Sequence, residues 1–223
     1  MHVEGSKNWK SLLFPLIWEA LFVGSYVLIA VSDDKRHFSL TLYFMFAFYF
    51  GLLVYYRRSF SFREFFRKFL DWKGFILPVL LTAVGISLAH SVSACALERL
   101  FPSTVKIVLP LAFSSNVFET VLFAFTVMVL KPFACELFFR QGWIRTDKWW
   151  LLVLTVLSGF VLEALTRSIT LPGMVETVLL AIPLVIAYLI TKNVYVTIFV
   201  HLVFSIIVNM PDVVYDFMRL ALA

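Results

Sequence analysis

The sequence predicts an all-α, polytopic membrane protein of about seven transmembrane helices, and three observations carry that prediction. First, 61% of the 223 residues are hydrophobic and only 15% are charged, with a mean hydropathy of +0.92. Soluble domains run to about 45–50% apolar with roughly a quarter of their residues charged, so most of this surface must meet hydrocarbon rather than water. Second, the apolar residues gather into runs of about 20, the length a helix needs to cross about 30 Å of acyl chain at 1.5 Å per residue. Third, no ten-residue alternating pattern of the barrel type is visible. Inside a bilayer the backbone must satisfy its own N–H and C=O groups, so the runs are helices.

In chain order the predicted spans are Ser11–Val31, Ser39–Tyr56, Phe75–Ala96, Asn116–Phe139, Trp149–Thr166, Leu171–Ile190 and Val194–Asn209. The first is too long for a signal-peptide core, despite the cleavage-like Ala30-Val31-Ser32, and reads as a retained anchor. Between the second and third lies Arg57–Lys73, RRSFSFREFFRKFLDWK, in which cations interleave with Phe and Trp and no Pro or Gly intervenes. It reads as an amphipathic helix along the interface, with rings in the acyl boundary and cations at headgroups. Lipid sensing is the sharper alternative to a plain connector. Asp71-Trp72-Lys73 and Lys148-Trp149-Trp150 have the composition of interface anchors. The segment 100–115 leaves room for an eighth span or a re-entrant piece, and Pro78, Pro110, Pro132 and Pro183 are available as kinks. The whole chain, 1–223, reads as one membrane domain.

With seven spans the connections alternate sides. The face of the amino terminus carries Lys7, Lys10, Arg57, Arg58, Arg63, Arg67, Lys68, Lys73, Arg140, Arg145, Lys148 and Lys192. The opposite face carries Lys35, Arg36, Arg99, Lys106, Arg167 and Arg219. Twice as many cations on the first face put the amino terminus in the cytoplasm, in a multi-pass protein of the cell membrane. The net charge of +5 comes from residues between apolar runs with no nucleic-acid motif, so the lipid bilayer, not nucleic acid, is the predicted partner. Cys95 and Cys135 lie inside apolar stretches and form neither a disulfide framework nor a zinc pattern. No cofactor or metal site is expected.

Ionisable side chains within spans are costly, so each is a functional candidate beside its plainer reading as an interhelical hydrogen bond. These are Glu19, His90, Glu119, Glu136, Arg140, Glu163, Glu176 and His201. Glu136 and Arg140, four apart, share a helix face in the favourable order for an ion pair, which also suits a simple helix-end pair. His201 stands about 10 Å into the last span, with Ser205 one turn later on the same side.

Three stretches in this order resemble the CPBP family of CAAX proteases and bacteriocin-processing proteins. Cys135-Glu136-Leu137-Phe138-Phe139-Arg140-Gln141-Gly142 is similar to its E-E-x-x-x-R motif, Phe160-Val161-Leu162-Glu163-Ala164 to its F-x-x-x-H helix, and His201 to Ser205 to its closing H-x-x-x-N. The likeness runs from about Lys131 to Ser205, within a core of approximately 116–209. It implies a polar cavity open to the cytosol, where a glutamate and a histidine activate water against a peptide carbonyl while the closing His and Asn steady the oxyanion. It also implies membrane-anchored or prenylated peptides, or partner membrane proteins, as ligands. Here Cys135, Ala164 and Ser205 stand at the positions of the first Glu, the His and the Asn, while Glu136, Arg140, Phe160 and His201 are retained.

Three readings follow. In the first, the protein is a catalytically impaired relative that binds membrane-tethered peptides or partner proteins. In the second it is an active intramembrane endopeptidase, with Glu136 or Glu163 as substitute carboxylate, His201 as electrophilic aid and Ser205 as hydroxyl donor. Glu163 is about 100° around an α-helix from position 164 and is expected to point elsewhere. A variant of this reading takes Cys135 as nucleophile and His201 as base, although a buried thiol is seldom reactive. The third is a small transporter or channel-like bundle using Glu19, Glu119, Glu136 and Glu176. One tension accompanies the resemblance: measured from Lys148, Ala164 lies about 24 Å along its span, far beyond the depth of His201.

Overall fold

The computed structural model describes residues 10–31, 37–101, 114 and 116–222. No strand occurs among them, and seven helices are long and apolar enough to cross a membrane. Lys7, Lys35, Arg36, Lys106, Pro110 and nearly all of the 100–115 segment lie outside the described residues.

The helices are α1 (Lys10–Val31), α2 (His37–Tyr56), the short α3 (Phe62–Phe69), α4 (Leu77–Leu100), α5 (Val117–Trp143), α6 (Trp149–Arg167), α7 (Leu171–Thr191) and α8 (Val194–Leu222). The interface stretch is not one continuous helix. Arg57–Ser59 forms a 3₁₀ turn, and α3 starts afresh because the Ser61 hydroxyl accepts from the Glu64 N–H. Phe62, Phe66 and Phe69 remain exposed, as interface rings should, whereas Phe65 turns inward to Tyr195, Phe75 and Phe199.

The last helix overruns its expected end at Asn209 by more than three turns, continuing through Pro211 to Leu222. Pro211 leaves the carbonyl of Ile207 without its helical N–H, a loss that membrane helices tolerate, and one turn earlier the Asn209 side-chain amide donates to the Ser205 carbonyl at 2.7 Å. A tight turn enters α8: Lys192 takes a left-handed φ of 51°, and the Asn193 side chain accepts from the Tyr195 N–H.

Residue size sets the helix spacing. Phe22 stacks on Phe48 at 4.4 Å between centroids, and Leu52, Phe138 and Phe139 complete a buried centre among α1, α2, α5 and the start of α8. Beside it, Gly51 lets α2 approach Trp18, whose indole N–H donates to the Phe48 carbonyl at 3.1 Å. With no polar–apolar contrast between protein and lipid to drive association, such close approach is what holds membrane helices together.

A Cβ at Gly51 would lie 2.7 Å from the Trp18 indole nitrogen. Gly51→Val is therefore expected to cost about 1–3 kcal/mol in denaturant unfolding from micelles, whereas Gly24→Ala, which meets no neighbour, should not destabilise.

Candidate functional site

The site is built around α5, which is not a regular helix. Phe125–Leu130 and Glu136–Trp143 are wide, π-helical stretches on either side of an α-helical Lys131–Cys135. Pro132 gives the first a cause: it has no N–H, and its ring would collide with the carbonyl of residue 128, so the chain widens there. The second stretch carries both Glu136 and Arg140.

Arg140, 1% exposed, lies between two carboxylates. Its Nη1 and Nη2 donate to Oε2 and Oε1 of Glu163 at 2.6 and 3.2 Å, a two-pronged pair of the strong planar kind. Its Nε approaches Oε2 of Glu136 at 3.4 Å, so the expected Glu136–Arg140 ion pair exists but is the looser of the two. The other oxygen of Glu136 meets Nδ1 of His201 at 2.8 Å. An ionised carboxylate can only accept, so the ring's proton sits on Nδ1, and Nε2 is the nitrogen left for other partners. Three helices thereby converge on one tetrad, Glu163–Arg140–Glu136–His201.

Glu163 corrects the sequence-based expectation that it points elsewhere. It is buried and faces Arg140, whereas Ala164, also buried, lies off the cavity wall. The reason is antiparallel packing: the Arg145 N–H donates to the Thr155 hydroxyl, the Trp143 indole to Ser158, and Arg140 to Glu163. That sequence of contacts also removes the depth tension. Ser158 is nine residues into α6, so α6 starts about 13 Å before the level of Trp143, and Glu163 arrives beside Arg140 despite its distance from Lys148.

A cavity of about 130 Å³ adjoins the tetrad, walled by Cys135, Glu163, His201 and Ser205 among others. It runs from His201 and Cys135 past Lys131 to Arg167, Ser168 and Gly173, where α6 ends and α7 begins. That end is opposite the amino terminus. The cavity therefore lies toward the far face and not on the amino-terminal side as expected, where Phe138, Phe139, Tyr195 and Ile198 pack into the buried core instead.

The remaining candidates separate. Glu19, 2% exposed and with no hydrogen-bond partner on either oxygen, lies within electrostatic range of Glu163. Glu176 lines the cavity, Glu119 accepts from the Ser39 hydroxyl at 2.6 Å away from the tetrad, and His90 meets the ring of Phe204 edge-on. A second polar cluster, absent from the sequence-based candidates, joins the far ends of α5 and α8. Asp216 accepts from Ser114, Thr120 and Arg219, and Arg219 also donates to the Ser114 carbonyl. Lys131 and Arg167 are also new to the site. Lys131 lies in the middle of a predicted span, so the rule that picked out the buried glutamates marks it too. Among the described residues, no group of three or more His, Cys, Asp or Glu side chains is placed to hold a metal ion.

No family model matches the chain, and neither the curated proteins nor the solved structures compared with it include a match.

Removing one member of a buried ion network leaves its partner's charge uncompensated. Arg140→Met is expected to cost about 3–5 kcal/mol in micelle unfolding, and the double variant Arg140→Met, Glu163→Met less than Arg140→Met alone.

Proposed function

We propose that this protein is a CPBP-like intramembrane protein that receives membrane-tethered peptides or partner proteins in its cavity and does not cleave them. The observation that supports this most strongly is that three of the four carboxylate oxygens in the tetrad are hydrogen-bonded and the fourth, Oε2 of Glu136, stands 3.4 Å from the Arg140 guanidinium. Glu163 gives both oxygens to Arg140, and Glu136 divides its two between His201 and Arg140. A water-activating base must be free to take a proton from a water within hydrogen-bond reach. At the wall position where the resemblance calls for that base, the chain carries the thiol of Cys135. The tetrad on this reading is a structural pin beneath a binding cavity.

One contact favours a second reading, hydrolysis. A carboxylate 2.8 Å from Nδ1 of His201 is how an imidazole base is oriented in many hydrolases. Nε2 would then take a proton from a water as its oxygen attacks a peptide carbonyl, and return the proton to the departing amine. The Ser205 hydroxyl, on the same wall, would donate to the oxyanion.

The wild type in liposomes is expected to leave a library of membrane-anchored peptides intact, while a benzophenone amino acid at Val208 on the cavity wall captures peptide and one at lipid-facing Leu154 does not. Cleavage that disappears in Glu136→Gln and His201→Ala would replace this reading with the second.

The excess of Lys and Arg supports an amino terminus in the cytoplasm of the cell membrane, which turns the cavity mouth outward. An impermeant maleimide should then label Asp147→Cys, in a Cys95→Ala background, from the cytoplasmic side alone. Labelling from outside would reverse the orientation.

A further inference from the structure

Two cations on the cavity wall have no use in the tetrad. Lys131 lies near the middle of α5, and Arg167 closes the last turn of α6. Among the described residues neither has a hydrogen bond or a carboxylate within ion-pair distance. The two cations are close enough to repel each other.

An ammonium group in a membrane span is expensive unless something compensates it, and intramembrane cations mark ligand or ion pathways for that reason. The anions nearby do not fill this role at contact distance. Glu163 is held on both oxygens by Arg140, and Glu136 by Arg140 and His201. Glu176 is part of the same wall and acts on Lys131 electrostatically from beyond contact distance. The rest of the wall divides by character. Thr166, Ser168 and Thr177 bring hydroxyls near the cations, while Phe22, Tyr26 and Phe123 make an apolar strip along α1 and α5.

From this division we infer that the cavity binds an acid-ended amphiphile, its carboxylate or phosphate between Lys131 and Arg167 and its hydrocarbon chain along the Phe22, Tyr26 and Phe123 strip. At about 130 Å³ the space is below the roughly 300 Å³ of a drug-sized pocket, so it accommodates a head group and the first carbons while the tail continues toward the mouth. A singly charged head supplies the contact partner that Lys131 lacks, and the Arg167 guanidinium offers a paired set of donors to either head. The inference rests on the binding reading above and names the chemistry of what is bound.

The test uses the full-length protein in nanodiscs with three photoreactive twelve-carbon probes carrying a diazirine: the carboxylic acid, the alkyl phosphate and the alcohol. The acid or the phosphate, whichever head the site takes, is expected to label the wall around Phe123 and Phe204 at least tenfold above the alcohol. Lys131→Met and Arg167→Gln should each remove most of that excess, and Lys131→Arg should keep it. Lys131→Met is also expected to unfold at a higher temperature than the wild type, because it deletes a cation without a contact partner, whereas a lysine with a structural role would lower it. Comparing acid with phosphate identifies the head. Equal labelling of the wall by acid, phosphate and alcohol, or full labelling in Lys131→Met, overturns this inference and leaves the binding reading intact. Absence of wall labelling by every probe, together with no peptide capture at Val208, overturns both.

Discussion

A guanidinium shared by two carboxylates inside hydrocarbon is the constraint on which the rest of this structure depends. Taking Arg140 out of water costs several kcal/mol, and the cost is recovered only if its donors point at acceptors with good geometry. Glu163 meets that demand with both oxygens, and Glu136 adds a looser contact while reaching His201. In lipid the alternatives are few, because neither water nor a surface position is available to a side chain 1% exposed. The pairing therefore fixes which face of α6 meets α5, and which turn of α8 meets both.

The irregularity of α5 accompanies that constraint. A proline in the middle of the span obliges the backbone to widen, and a second wide stretch spans Glu136 to Trp143. Wide turns leave backbone carbonyls less well paired than an α-helix does, and they are tolerated here because the stretch is almost wholly enclosed by α2, α6 and α8. The helices facing lipid show no such departures over their central turns.

Function separates into a buried part and an accessible part. Within the tetrad Arg140 and Glu136 are fully buried and Glu163 is held on both oxygens, while Glu163 and His201 also reach the cavity wall. The cavity beyond it presents the opposite condition, with polar and cationic groups on the wall and hydrocarbon-compatible rings beside them. The proposed binding role uses that wall, whereas hydrolysis would rest on Nε2 of His201, the one tetrad nitrogen that remains for a partner in the cavity. The Asp216 cluster, outside the tetrad, ties the far end of α8 to Ser114 and Thr120, one turn of α5 from the cavity-lining Phe123.

By itself the sequence determined that this is a helical membrane protein, because a run of about 20 apolar residues has one stable form in a bilayer. It also located the seven spans found among the described residues, though not the end of the last one, and it marked Glu136, Arg140 and His201, since charge inside such a run is conspicuous. The tertiary structure alone decided that Glu163 is Arg140's principal partner, for the α-helical angle that directed it away from position 164 says nothing about where the neighbouring helix will be. It decided likewise that α6 starts well before the level of Trp143, and that the cavity runs toward the face opposite the amino terminus. Lys131 was legible as an intramembrane cation, but its lack of a contact partner was not. Pattern along a chain reports which residues avoid lipid, and only packing in three dimensions reports which of them find each other.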